Sequence, residues 1–164
     1  MRSPTSTIEP RIGRIFAMSR KSTLYEQDFY AWSRQQATLL RAGDVEKADL
    51  EKIAEEIESM GRTERRELIT RLTVLLVHLL KWRHQPALRG RSWRLSVEGQ
   101  RLDIADHLAD NPSLKAELPA AIAQAYRRAL IEASKETGLD IVSFPPACPF
   151  SFEAMMNPGF WPES

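Results

Sequence analysis

Residues 50–82 read LEKIAEEIESMGRTERRELITRLTVLLVHLLKW, and large apolar residues recur through them at steps of three and four. This spacing puts the apolar side chains on one face of an α-helix, whose period is 3.6 residues. No proline occurs between Asp44 and Lys81, and Gly61 is the one glycine in that range. The pattern therefore predicts a single helix over 44–81, roughly 57 Å long at about 1.5 Å per residue. Any kink is expected at Gly61, because an interior glycine weakens a helix.

Helical signals continue on both sides of this segment. The predicted helices cover residues 23–42, 44–81, 92–110 and 119–137, with a short helical turn over 112–117. Thr23 and Glu26 have the spacing of a capping box, and Asp44 and Ser92 are suited to cap the next two helices. Gly138 follows the last helix at the position where a left-handed residue is easiest. No segment sustains the apolar–polar alternation of a strand, so the expected fold class is all-α.

The expected architecture is a compact bundle of about four main helices around the long second one. Five of the ten prolines lie at or beyond Pro145, so residues 144–152 are expected to form an extended apolar strap. Residues 1–22 have no helical period and are expected to be a disordered or loosely attached arm. Residues 23–164 are expected to form a single helical domain.

The composition limits the classes of protein to which this chain can belong. Lys and Arg number 23 against 22 Asp and Glu, so the net charge does not indicate a nucleic-acid or membrane binder. The single cysteine, Cys148, cannot form an internal disulfide, which fits a reducing compartment. The longest uncharged apolar run, residues 72–80, is too short to cross a bilayer. These features predict a cytoplasmic protein without a membrane segment.

Charge is unevenly distributed along the chain. Residues 44–58 carry a net charge of −5, and residues 81–101 carry +5. Both segments can simply be solvated surface, and the arrangement also suits the helix dipole. Alternatively, two copies of the long helix pair antiparallel in a homodimer, with the acidic half of one facing the basic half of the other. The long apolar seam and the lack of a catalytic motif favour a non-enzymatic interaction or oligomerisation module.

The basic segment 81–101 is also a candidate site for anions. Arginines interleaved with Trp82 and Trp93 could hold phosphate or stack on nucleic-acid bases. The candidate anion-binding residues are Arg83, Arg89, Arg91, Arg94 and Arg101. The two tryptophans also lie on apolar helix faces, where packing is their first expected role. Phosphate or nucleic-acid binding is therefore the alternative function.

A metal-dependent enzyme is the second alternative, with Glu55 and Glu58 as weak candidate ligands. These carboxylates are three residues apart and share a helix face. His78 and His84 are six residues apart and so lie on different sides of a helix, and the Glu-x-x-His pair of helical metal sites is absent. His78 is instead expected to be a hydrogen-bonded core histidine. No cofactor is predicted.

Two further polar residues are expected to have structural roles. Glu64 interrupts the apolar seam, so its carboxylate is expected to pair with an arginine of a neighbouring helix. Cys148 lies in the proline-rich strap without the electropositive surroundings that make a thiol reactive, and it is expected to fill space.

Several local strings of this chain are similar to those of a known family. They are YEQDFYAW (25–32), DLE (49–51), EEIESMGR (55–62), HLLKW (78–82), QP (85–86), RSW (91–93), QR (100–101), PSL (112–114), ETGL (136–139), FP (144–145) and CP (148–149). In this order and spacing, over residues 24–161, they resemble the bacterial family called domain of unknown function 29. The resemblance implies a compact helical domain. It carries over no catalytic residues, because the family has no assigned activity.

Overall fold

A computed structural model describes residues 24–163 of the chain. Its α-helices are α1 (Phe29–Arg41), α2 (Leu50–His84), α3 (Arg91–Asp110), α4 (Leu118–Thr137) and α5 (Phe152–Met156). Short 3₁₀ helices cover Pro86–Leu88, Pro112–Glu117 and Ile141–Ser143. No strand occurs in residues 24–163, so the predicted all-α fold is confirmed, with four main helices of which α2 is the longest. The predicted arm over residues 1–22 and the predicted cap Thr23 lie outside the described residues.

Helix α1 begins later in the chain than the capping-box prediction places it. A helical turn over 24–27 comes first, and Asp28 then leaves the helical conformation. The Asp28 carboxylate accepts a hydrogen bond from the N–H of Ala31 at 2.9 Å, so Asp28 is the N-cap of α1. The helix ends at Arg41, and Gly43 follows with a φ of 76°, which glycine adopts without a steric cost.

Helix α2 also begins later than predicted, at Leu50. The Asp44 carboxylate pairs with Lys47 in a turn and caps no helix, so the predicted Asp44 cap is wrong. Asp49 takes that role, since its carboxylate accepts from the N–H of Lys52 at 3.3 Å. The backbone N–H of Asp49 in turn donates to the side chain of Gln36 at 2.8 Å, which fixes the position of this cap. From there α2 remains α-helical through to His84, Gly61 included.

Proline and glycine set the remaining helix boundaries. Helix α2 ends two residues before Pro86, which cannot donate a helical hydrogen bond. Helix α3 begins directly after Gly90, and no side chain caps it. Ser92 lies inside its first turn, so the predicted Ser92 cap is wrong. Helix α4 ends at Thr137, and the φ of 73° at Gly138 confirms the predicted left-handed cap.

The chain divides into two units, Met1–Ser59 and Met60–Ser164. In the described part of the first unit, the buried ring of Trp32 lies 4.9 Å from that of Tyr25 and 5.5 Å from that of Phe29. The Tyr25 hydroxyl donates a hydrogen bond to the carboxylate of Glu56. This hydrogen bond therefore joins the aromatic cluster to the first half of α2.

The second unit has its core on the second half of α2. The wholly buried leucines of this half are Leu68, Leu72, Leu75, Leu76, Leu79 and Leu80. Opposite them lie Val97, Ile104 and Leu108 of α3 and Ala121, Ala125, Ala129 and Ala133 of α4. The alanines recur every four residues and form one face of small side chains, which lets α4 approach closely. Among residues 24–163, no helix has both the length and the apolar character needed to cross a bilayer.

The C-terminal segment covers this core as the strap prediction proposes. Residues 144–150 contain no helix, and Phe144 and Phe150 are buried in the same core cluster. The Tyr126 hydroxyl of α4 donates to the carbonyl of Pro145 at 2.6 Å. Ser151 then caps α5, as its hydroxyl accepts from the N–H of Ala154 at 3.1 Å.

Candidate functional site

The five candidate arginines separate into three groups, and Arg101 forms one by itself. Its side chain on α3 is only 5% exposed. Its guanidinium donates to the carbonyls of Met155 at 2.7 Å, Pro158 at 3.4 Å and Phe160 at 2.8 Å. All three guanidinium nitrogens are thus engaged by the backbone of the C-terminal segment. The Arg101 guanidinium is therefore not exposed to a ligand, unlike the prediction for it, and it anchors this segment to α3 instead.

Arg83 lies elsewhere, near the end of α2 and close to His84 and Tyr126. Burial, with a further contribution from the Arg83 charge, lowers the pKa of His84, so the imidazole is neutral at pH 7. The His84 ring meets that of Phe144 edge-on at 4.9 Å. Burial also raises the pKa of Tyr126 to about 12. The surroundings of Arg83 are therefore aromatic, and its side chain is half-buried.

Arg89, Arg91 and Arg94 come together around one pocket. The pocket has a volume of about 380 Å³, and Trp82 and Gly90 complete its lining. Trp82 lies close to the C-terminal end of α2, Gly90 precedes α3, and the short connection between the two helices brings these groups together. None of the described residues that line the pocket carries a carboxylate.

Contacts with aromatic rings orient two of these arginines. Arg89 donates through Nε to the carbonyl of Trp82 at 2.7 Å, and its guanidinium lies 5.5 Å from the centre of that ring. The guanidinium of Arg94 lies 5.6 Å from the ring of Trp161 and 6.0 Å from that of Trp82. Cation–π contacts of this kind stabilise a guanidinium by about 0.5–1 kcal/mol at exposed sites. They hold the positive charges at the pocket without neutralising them.

Within residues 24–163, the charges of Arg91 and Arg94 are not balanced by ion pairs with acidic side chains. The N-terminus of α3 adds the partial positive charge of its first amides, and Gly90 has no side chain to cap them. Three guanidiniums around one opening repel one another. An anion is the ligand that this charge distribution favours.

The other aromatic and basic groups of segment 81–101 are engaged within the protein. Lys81 is buried, and its Nζ lies 2.6 Å from the carboxylate of Glu136 and 4.6 Å from the ring centre of Trp93. Trp82 is 8% exposed, and its ring lies 4.4 Å from that of Trp161. The predicted packing role of Trp82 is therefore confirmed. The net charge of +5 overstates the charge that a ligand would meet.

The weak metal candidates show no developed coordination site. Glu55 accepts a hydrogen bond from Lys52 at 2.7 Å and lies on the first half of α2 with Glu58. Within residues 24–163, no three His, Cys, Asp or Glu side chains are grouped so that they could hold a metal ion. His78 has a structural partner instead, because its Nδ1 lies 2.9 Å from the carbonyl of Val74. This contact confirms the predicted hydrogen bond, but the side chain is half-buried and does not belong to the core.

Glu64 differs from its prediction. Its side chain is about half exposed, and its carboxylate lies 3.8 Å from Nε2 of His107 and 3.5 Å from the amide of Asn111. The predicted arginine partner is therefore wrong, because a histidine and an asparagine from α3 and its C-cap occupy that position. Cys148 is partly buried, and burial raises the pKa of its thiol, which keeps it protonated at neutral pH.

Two members of this site have no signal in the local sequence. Trp161 lies 67 residues beyond Arg94 in the chain but contacts its guanidinium. Gly90 is significant only because it precedes α3, which the sequence places to begin at Ser92. A contact between a distant aromatic residue and a basic loop cannot be predicted from sequence spacing alone.

The family model described as Domain of unknown function DUF29 matches residues 24–161. The match includes every residue of the arginine pocket as well as Trp161, and it confirms the resemblance that the local strings indicate. No curated protein and no solved structure is significantly similar to the chain.

Proposed function

Since this chain belongs to the family described as Domain of unknown function DUF29, we propose its function from the pocket itself: it binds a small phosphate-bearing ligand. The observation that carries the proposal is the convergence of Arg89, Arg91 and Arg94 on one opening to which residues 24–163 contribute no carboxylate. The family has no assigned activity that would favour another site.

Phosphate is the anion that this set of groups recognises best. The planar guanidinium donates two parallel hydrogen bonds to phosphate oxygens, and such charge-assisted bonds contribute about 1.5–3 kcal/mol each. Arg91 and Arg94 are three residues apart on α3, so they extend from the same side of its first turn. The amides at the start of α3 lie beside them and favour negative charge as well.

A small ligand fits the surroundings better than a nucleic-acid chain. Binding along a polynucleotide uses a continuous basic track and open aromatic faces. Here Arg101 is buried, Lys81 pairs with Glu136, and the ring of Trp82 is almost covered. What is left is one localised cluster of three arginines, which matches one phosphate group.

Isothermal titration calorimetry with inorganic phosphate at low ionic strength tests this proposal. The doubly substituted Arg91→Gln/Arg94→Gln protein is expected to bind phosphate about 100-fold more weakly, since two charge-assisted hydrogen bonds are lost and 1.4 kcal/mol is tenfold in affinity. Arg127→Gln, at an exposed arginine of α4, is the matched control and should bind like the wild type. An unchanged affinity in the double variant, or no binding by the wild type, would contradict the proposal.

A second candidate function, the interaction module, has support from the first half of α2. Leu50 is 53% exposed and Ile57 is 63% exposed, and their spacing of seven residues places them on one helix face. The buried residues of α2 begin at Leu68 and belong to the core of the second unit, so the apolar face that a partner can cover lies before them. The acidic charge around these residues suits a second copy of this chain, whose arginine pocket supplies the opposite charge.

Sedimentation velocity across a range of protein concentrations tests the homodimer. We expect a dimer that dissociates on dilution or in high salt, because its contacts between opposite charges are screened. Ile57→Ser should shift the equilibrium to monomer, whereas Ile131→Ser, at an exposed isoleucine of α4, should not. A monomer at the highest protein concentration would rule out this candidate.

The remaining expectations have less structural support. A metal-dependent enzyme at Glu55 and Glu58 would need further ligands that residues 24–163 do not bring to them. A cytoplasmic location is compatible with the proposed ligand, because phosphorylated small molecules are abundant there and the one cysteine needs no oxidant.

A further inference from the structure

We infer that the arginine pocket selects a terminal phosphate monoester over the phosphodiester of a nucleic-acid backbone. The inference rests on the proposed function and narrows it to one chemical class of ligand. It is carried by the donor-only character of the lining and by the number of positive charges that converge there.

Among the described residues that line the pocket, the charged side chains are all arginines. A guanidinium has five N–H donors, no acceptor, and a positive charge at any physiological pH. The remaining lining residues, Trp82 and Gly90, contribute no side-chain acceptor. The backbone carbonyl of Trp82 already accepts from Arg89. Such a lining favours the binding of a ligand group that has many acceptor oxygens and no hydrogen-bond donor.

A phosphate monoester matches these requirements more closely than a diester does. Near pH 7 it carries a charge of about −1.5 to −2 and three strong acceptor oxygens. A diester carries a single charge and has only two unsubstituted oxygens. A monoester therefore offers the arginines of the pocket a higher charge than a diester does, and one more unsubstituted oxygen to accept their hydrogen bonds.

The pocket has few groups that could bind the part of the ligand that is attached to the phosphate through the ester bond. Trp82 is too well covered to stack with a base, and no described lining residue can accept a hydrogen bond from a sugar hydroxyl through its side chain. The ligand is therefore recognised at its phosphate end. We expect affinity to follow the charge and the substitution of the phosphate and to depend little on the attached group.

The minimal probes for this inference are methyl phosphate and dimethyl phosphate, which differ only in the second ester bond. Calorimetric titrations of the wild-type protein at pH 7.5 and constant ionic strength should show methyl phosphate binding at least about tenfold more tightly, as expected for one extra charge-assisted hydrogen bond. Arg94→Gln should bring the two affinities closer together, since it removes one of the positive charges that favour the more highly charged ester. The matched control, Arg127→Gln, should keep the wild-type ratio.

The outcomes separate this inference from the proposed function. If inorganic phosphate binds but the two methyl esters bind with equal affinity, the selectivity is overturned and the phosphate site remains. If inorganic phosphate and both esters fail to bind, the proposed function is wrong and the inference falls with it. An unchanged affinity ratio in Arg94→Gln would also overturn the inference, because the selectivity would then not come from this pocket.

Discussion

Replacing Arg101 by leucine is expected to lower the free energy of unfolding by about 2–4 kcal/mol, because one buried and two partly buried carbonyls lose their donors. The change removes the donors to the carbonyls of Met155, Pro158 and Phe160. A buried acceptor that loses its donor costs about 1–3 kcal/mol. Leucine fills part of the volume but satisfies none of these carbonyls. Urea unfolding, followed by far-ultraviolet circular dichroism, measures the loss.

Two variants control for charge and for position. Arg101→Lys keeps a positive charge but cannot reproduce the planar fork, so an intermediate loss of stability is expected. Arg91→Leu, at an exposed arginine of the same helix, should stay within about 0.5 kcal/mol of the wild type. Equal losses for Arg101→Leu and Arg91→Leu would show that the buried contacts contribute nothing specific.

Truncation of Leu72 to alanine is expected to cost about 2–5 kcal/mol. Leu72 is wholly buried on the second half of α2, inside the core cluster that α3 and α4 cover. The lost methyl groups leave a cavity that the surrounding helices can close only in part, because the core is close-packed. The midpoint of urea unfolding should therefore fall with little change in its slope.

The control for this substitution is Leu102→Ala on α3. Leu102 is 68% exposed, so the same chemical change removes little buried surface. A loss within about 0.5 kcal/mol is expected there. If Leu72→Ala were no more destabilising than Leu102→Ala, the assignment of Leu72 to the core would be wrong.

The helices of this protein could be predicted from the sequence because their signals are local. The three-and-four spacing of residues 50–82, together with Pro86, Gly43 and Gly138, determines where helices lie and where they stop. The N-terminal caps could not be predicted as well. Asp44 and Asp49 are equally good cap residues, and the choice between them depends on the side chain of Gln36, which contacts the second one.

The candidate site could be predicted in part from the sequence, because some of its signals are local as well. Arg89, Arg91 and Arg94 are close together in the chain, so their shared positive charge was visible. Nothing in the sequence separated them from Arg101, whose three carbonyl partners lie 54–59 residues further along. Contacts over such distances follow from the path of the C-terminal segment, and that path is fixed by the assembled core.

The pairing of Trp82 with Trp161 has an optical consequence. Two indole rings whose centres are 4.4 Å apart, inclined at 39°, have transition dipoles close enough to couple. Their coupled absorption should give a paired circular-dichroism band that neither ring produces alone. Arg94 lies over both rings, so the protein contains its own spectroscopic reporter for the arrangement of the C-terminal segment and for the charge beside it.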